Sequence, residues 1–400
     1  MKRISQLDGI RGLAVAAVVI SHLGDLSVVG IAKTAATSTM HRILRPGFMG
    51  VDIFFVLSGF LITGIILKER SRPNFWRSFY MRRAFRILPA FVTVYVVTLL
   101  ATHFFSPQTP ITGSYLLMSI FFLANWTILT GNQLELLFHI WSLAVEEQFY
   151  FLWPQAAKRM RNVTLFQVAV CLAVASECCR IVMTMLKVSA YITYEITPTR
   201  LDGICVGSAL AAGVTLPRVE RFLSHWWKRI AVTSAVLLIG IFVAFQGDLN
   251  PFRTSSQVYA IPTVVILTAM LIFGALEGTL PAVLNRFFSN GVMTYLGRRS
   301  YGLYLIHDPI RIAVSSSRGS GYLSGLPSTF GVNVLLAVAV AAVSLMLTEL
   351  SWQLIESPAQ NLRGRLTGGR EYGVPSRPAE EAAIAELSAE LKSEAEAQRV

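Results

Sequence analysis

Apolar residues along this chain come in runs about as long as a bilayer is thick, rather than in stripes of period 3.6 or 2. A helix of about 20 apolar residues crosses the hydrocarbon core. Such runs recur at 9–31, 48–67, 87–105, 114–131, 139–157, 163–186, 198–216, 230–247, 257–277, 298–316 and 330–355. The pattern predicts an all-α, polytopic membrane protein. No internal repeat is visible, which weighs against a transporter assembled from duplicated halves.

Charge tests the number of spans, because Lys and Arg accumulate in cytoplasmic loops. Segment 68–86 carries Lys68, Arg70, Arg72, Arg77, Arg82, Arg83 and Arg86, and segments 158–161, 218–229 and 286–299 are also basic, as are Arg363 and Arg365. Segments 104–113 and 188–197 hold no Lys or Arg. If every run crossed, 158–161 would fall on the side opposite 68–86. The alternation is restored if either 114–131 or 139–157 does not cross. The second is the expected re-entrant segment, since it holds His139, Glu146, Glu147, Gln148 and Pro154, and polar backbone at membrane depth is tolerated where protein surrounds it. The expectation is therefore ten spans with both termini cytoplasmic, against which only Lys33, Arg42 and Arg45 dissent.

Lys2 and Arg3 ahead of an apolar stretch resemble a signal peptide. Asp8 and Arg11 interrupt that stretch and no small-residue cleavage site follows, so it reads as a retained first span. Residues 1–360 read as one membrane domain. In 361–400 the composition turns to Ala, Glu and Ser, with Ile384, Leu387 and Leu391 at helical spacing, as in a cytoplasmic amphipathic helix or a partly disordered tail.

Composition agrees: 54% of residues are hydrophobic and 14% charged. The net charge of +12 sits in short segments between apolar runs, which argues against a nucleic-acid partner. Cys171, Cys178, Cys179 and Cys205 lie in or beside apolar stretches without metal-ligand spacing and read as small buried residues.

Ionisable groups inside spans are costly and therefore mark function. Arg11 and His22 are eleven residues apart, three turns and roughly 16 Å along one helix face. His139 and Glu146 are seven apart, so a buried carboxylate could orient an imidazole. The bland readings are a snorkelling arginine, a structural histidine and solvated glutamates. Arg82, Arg83 and Arg86, leading to Pro89, form a basic edge able to hold phosphates or simply to mark topology. His307 with Asp308 fits a lined cavity better than lipid contact. Ser58 has no base beside it in sequence and reads as a packing serine next to Gly59. There is no His-Glu-x-x-His, P-loop, Gly-x-Ser-x-Gly or Cys-x-x-Cys, which disfavours metalloprotease, nucleotide-hydrolysing and serine-esterase chemistry.

Taken in order, the motifs resemble the acyltransferase-3 family of bacterial integral-membrane acyltransferases. The matching pieces are Leu7-Asp8-Gly9-Ile10-Arg11-Gly12 with His22, Gly50-Val51-Asp52 through Ser58 to Ile62, and Arg82-Arg83 through Arg86 to Pro89. They continue with Trp141-Ser142-Leu143 through Glu146 to Tyr150, Arg200-Leu201-Asp202-Gly203, Ser300 to His307, and Glu356-Ser357-Pro358. The resemblance implies transfer of an acyl group, commonly acetyl, from a cytoplasmic coenzyme A thioester to a carbohydrate hydroxyl, in the bacterial cytoplasmic membrane. No permanently bound cofactor or metal is implied; acyl-CoA is a co-substrate. Many relatives carry a fused extracytoplasmic SGNH-type domain, and this chain resembles the stand-alone branch.

The resemblance also assigns roles. His22 is the expected general base, with an ordinary imidazole pKa of about 6.5. Glu146 supports the histidine, and Arg11 binds the donor or stabilises developing charge. Arg82, Arg83 and Arg86 hold the nucleotide end of the donor. Asp8, Asp52, Ser58, Trp141, Tyr150, Arg200, Asp202 and His307 are supporting candidates. Direct transfer is expected, with an acyl-enzyme as the alternative mechanism. The alternative classes are a transporter of acylated glycan or lipid and a non-catalytic partner of a polysaccharide assembly system.

Overall fold

The computed structural model describes residues 4–27, 35–105, 112–131, 134–320, 323–327 and 329–366. Lys33 and most of the expected tail lie outside them. The described residues fold into fifteen α-helices and no strand. In chain order these are α1 (Ser5–Ser27), α2 (Ala35–Leu44), α3 (Gly50–Glu69), α4 (Phe75–Phe105) and α5 (Gly113–Ile120). Next come α6 (Ile140–Ala157), α7 (Asn162–Met185), α8 (Ala190–Glu195), α9 (Leu201–Gly213) and α10 (Pro217–Ala244). The last are α11 (Ile261–Leu276), α12 (Ala282–Ser289), α13 (Gly291–Ser320), α14 (Phe330–Ser351) and α15 (Ser357–Leu366). Among the described residues, seven helical stretches are long and apolar enough to cross a membrane, and α9 is a shorter apolar helix. The chain is a multi-pass, all-α membrane protein.

Two differences from the sequence pattern have physical causes. First, 114–131 is broken while 139–157 contains a continuous helix, and neither belongs to the seven stretches long and apolar enough to cross. α5 has eight residues, about 12 Å of helix, and ends where Phe122 takes a left-handed backbone (φ 54°) before a 3₁₀ stretch over Ala124–Leu129. By contrast α6 runs unbroken for 18 residues, about 27 Å, and Glu146, Glu147 and Pro154 lie within it. Second, much of the basic sequence is helical. α4 starts at Phe75 and α10 at Pro217, so Arg82, Arg83 and Arg86 sit on helix rather than loop. At 31 residues α4 is about 46 Å long, more than the hydrocarbon core needs, and its charged end can project beyond it.

Glycine seams set two of the close crossings. A Cβ on Gly12 would lie 2.0 Å from the Met293 carbonyl oxygen, and one on Gly297 would lie 1.9 Å from that of Asp8, so α1 and α13 touch backbone to backbone. On α3 and α9, Gly59 faces the Ile204 carbonyl at 1.8 Å and Gly207 faces that of Val56 at 2.0 Å. Lipid offers apolar surface no incentive to associate, so close backbone packing through small residues has to hold such helices together.

Buried ion pairs add a second set of ties. Arg200, just before α9, donates to Asp52 Oδ1 on α3 at 2.6 Å, and Arg180 on α7 donates to Asp202 Oδ2 at 2.7 Å. The Arg200 guanidinium also lies over the rings of Tyr194, Trp141 and Phe55 at 4.8, 5.4 and 5.5 Å. The expected supporting residues Asp52, Trp141, Arg200 and Asp202 therefore form a clamp joining α3, α6, α7 and α9.

Candidate active site

The helix arrangement places one wall from each of α1, α3, α4, α6 and α13 around a pocket. Arg11, Ser58, Arg83, Arg86, Ser142, Glu146, Tyr150, Tyr301 and Tyr304 line it, together with apolar residues including Phe54, Phe55 and Leu143. Arg83 and Arg86 are three apart on α4 and share a helix face. Arg82 is turned about 100° from Arg83; it pairs with Glu69 and donates to Ser78 Oγ at 2.6 Å. The arginine cluster read from sequence is thus divided, with two members in the pocket and one tying α4 to α3.

Glu146 is held at the pocket wall by two donors. Ser58 Oγ donates to its Oε1 at 2.7 Å, and the Tyr150 hydroxyl to its Oε2 at 3.3 Å, while the Arg83 guanidinium lies 4.9 Å over the Tyr150 ring. Other helical hydroxyls here, on Thr93, Thr184, Ser208 and Thr348, donate to the carbonyl four residues earlier, the usual resort of Ser and Thr in apolar helices. Ser58 instead reaches a carboxylate on another helix. It is part of the pocket, not the packing serine expected.

Further along α1, His22 enters a cluster of imidazoles. Its Nδ1 lies 3.0 Å from His307 Nε2 and 3.5 Å from Asp308 Oδ1. His139 Nδ1 lies 3.5 Å from Asp308 Oδ2, and Arg311 Nε donates to Asp308 Oδ1 at 2.7 Å. His139, His307 and Asp308 are buried, and the His22 side chain is 25% exposed. Tyr304 joins cluster to pocket: its hydroxyl donates to the His139 carbonyl at 3.1 Å and lies 2.6 Å from Ser142 Oγ, and its ring is 5.6 Å from that of His139 and 5.8 Å from that of His307.

Several expected roles change with these distances. The hydrogen-bond partners of Glu146 are Ser58 and Tyr150, not an imidazole, and the carboxylate beside His22 and His139 is Asp308. The helical spacing of His139 and Glu146 does not bring them together, because α6 begins only at Ile140 and the His139 ring turns toward Asp308. Asp8 is buried and lies 3.5 Å from Arg11, which it orients at the pocket edge. Arg180 belongs to the buried clamp as well, and a lone arginine within an apolar run is the signal that the sequence offers for it. Asp308, Tyr304 and Arg311 take their places only through α13, whose period brings residues 304, 307, 308 and 311 to one face.

His22, His307 and Asp308 place their ligand atoms within 4.8 Å of one another, close enough to invite a metal ion. The two rings, however, lie within 8° of parallel with centroids 5.2 Å apart while the facing nitrogens are 3.0 Å apart. The nitrogens therefore lie between the centroids, and the rings meet edge to edge. Lone pairs aimed at each other do not converge on a third atom, and a hydrogen bond is what this geometry fits.

The family model described as an acyltransferase domain (Acyl_transf_3) matches residues 4–349. The chain belongs to the acyltransferase-3 family. It is 29% identical over 378 residues to the peptidoglycan O-acetyltransferase OatA of Listeria monocytogenes, covering 89% of this chain and 56% of that protein. It is 28% identical over 372 residues to the O-acetyltransferase OatA of Staphylococcus aureus, covering 88% of this chain and 56% of that one. The chain thus spans little more than half the length of these curated relatives. No solved structure matches it.

Proposed function

We propose that this member of the acyltransferase-3 family moves an acyl group, acetyl by preference, from acyl-CoA to a carbohydrate hydroxyl. The observation that carries the reading is the layout of α1. At one point it borders a pocket lined by Arg11, Arg83 and Arg86, and three turns further, roughly 16 Å, it presents His22 within the imidazole cluster. Guanidinium groups suit the phosphates of coenzyme A, and the donor's extended pantetheine arm suits the distance between them and a reacting thioester beside His22.

In this mechanism His22 takes the proton of the acceptor hydroxyl. The oxygen attacks the thioester carbonyl carbon, the carbon–sulfur bond breaks, and coenzyme A leaves as a thiolate that is protonated by water. Asp308 steadies the imidazolium that forms. Glu146, fixed by Ser58 and Tyr150, takes a part different from the histidine support expected of it: it offers a carboxylate to the amide N–H groups of the donor's arm. Arg11 completes the anion-binding wall. The acceptor class follows the relatives, one of which is named for peptidoglycan. The bilayer and the bacterial cytoplasmic membrane, with both termini inside, complete the reading.

The test is release of free thiol from acetyl-CoA by protein purified in lipid nanodiscs, wild type beside His22→Ala, against a panel of glycan extracts. Release that needs one extract, and that falls about 10²–10⁴-fold without the imidazole, is the expected result. A folded His22→Ala variant with full turnover removes His22 as the base. Absence of thiol release with every extract, from folded protein that binds no coenzyme A, moves the assignment to a transporter or assembly partner.

A further inference from the structure

The geometry of the histidine cluster determines which ring nitrogen of His22 carries its proton, a point that rests on reading His22 as the base. One turn back from His307 on α13, the Leu303 carbonyl oxygen lies 3.0 Å from His307 Nδ1. A carbonyl only accepts, so in the neutral ring Nδ1 carries the hydrogen and Nε2 keeps a lone pair. That Nε2 lies 3.0 Å from His22 Nδ1, and the nearly coplanar rings meet edge to edge, as an N–H···N bond requires. With His307 an acceptor at this point, His22 Nδ1 must be the donor.

We infer that His307 is a positioning residue: anchored by the Leu303 carbonyl, it locks His22 as the Nδ1–H tautomer and leaves Nε2 as the atom that accepts the acceptor's proton. A free histidine side chain in water favours the opposite, Nε2–H, form, so an unlocked His22 would for most of the time present a hydrogen where a lone pair is needed. Asp308 is the second candidate for the same Nδ1. Its Oδ1 is further away, at 3.5 Å, and already accepts from Arg311 Nε at 2.7 Å. The carboxylate therefore acts through its charge on the imidazolium, while the imidazole of His307 sets the tautomer. Each turnover is balanced: the acceptor O–H gives its proton to Nε2, Nδ1 keeps its own, and the imidazolium returns one proton to water through the exposed part of the His22 ring.

The experiment is two-bond ¹H–¹⁵N correlation NMR on protein labelled with ¹⁵N-histidine in nanodiscs, for wild type, His307→Gln and His307→Leu, with steady-state kinetics on the same samples. The chain has six histidines, and His22→Ala identifies the His22 signals. The expected wild-type pattern is a protonated Nδ1 and an unprotonated Nε2. His307→Gln places an amide oxygen near the lost Nε2, retains the Nδ1–H pattern and keeps most of kcat. His307→Leu shifts His22 toward Nε2–H and lowers kcat roughly 10²-fold, with KM for acetyl-CoA unchanged. An Nε2–H pattern in the wild type overturns the inference, as does a His307→Leu protein with the wild-type pattern and wild-type kcat. If His307→Leu fails to fold, the wild-type and His307→Gln spectra still decide. The tautomer is read without turnover, so a fully active His22→Ala protein would sink the catalytic reading while leaving this result legible.

Discussion

Asp52→Asn isolates the electrostatic clamp under the site. Asp52 and Arg200 are both fully buried, and their 2.6 Å contact joins α3 to the start of α9. At that separation and an effective dielectric constant of about 20, the attraction is about 6 kcal/mol. Desolvation of the two groups offsets most of it, so the pair contributes little net stability. Breaking it is another matter, because the substitution replaces the contacting carboxylate by a neutral amide and leaves the buried Arg200 charge with the rings of Tyr194, Trp141 and Phe55 and the Asp202 carboxylate, which is itself bonded to Arg180. The expected loss is about 3–5 kcal/mol. Unfolding of purified protein in mixed micelles, titrated with SDS and followed by tryptophan fluorescence, measures it. The companion is the double variant Asp52→Leu with Arg200→Met, which removes both charges and keeps apolar volume; it should recover to within about 1 kcal/mol of the wild type. A loss below about 1 kcal/mol for Asp52→Asn would mean that the buried Arg200 charge is not held by Asp52. A double variant as damaged as the single one would mean that uncompensated charge is not the cause.

Other expectations follow from the same contacts. Arg83→Ala or Arg86→Ala should raise KM for acetyl-CoA about tenfold, some 1.4 kcal/mol of donor binding, with kcat little changed. Arg82→Ala, which removes a tie to Glu69, should leave that KM alone and lower stability instead; initial-rate kinetics beside the SDS titration separates the two outcomes. Gly59→Ala drives a Cβ to 1.8 Å from the Ile204 carbonyl and should cost at least about 1–3 kcal/mol in that titration. Gly240, toward the C-terminal end of α10 with open space at its Cβ position, is the control: Gly240→Ala should stabilise by about 0.5–1 kcal/mol.

Much of this protein can be read along the chain, because lipid restricts what a backbone can do. Apolar runs of membrane length must close their own hydrogen bonds, so the all-α, multi-pass class follows from hydropathy alone. The ordered motifs from Asp8 to Glu356 likewise pointed to the family that the match over residues 4–349 shows. Polar content singles out 139–157 of the two candidate segments, but it does not reveal where the helix breaks. Run 114–131 is the more apolar of the two and holds no charged residue, yet it is the one that breaks, at a left-handed Phe122, while 139–157 with its two glutamates stays helical and packs against α3. Side-chain partnerships were the least legible. His22 and His307 are 285 positions apart and Ser58 and Glu146 are 88 apart, and neither pair shares a helix. Their meeting depends on glycine seams that let α1 approach α13 and α3 approach α9 to backbone contact. Helical periodicity places residues on faces; only the packing of one face on another decides which carboxylate lies beside which imidazole.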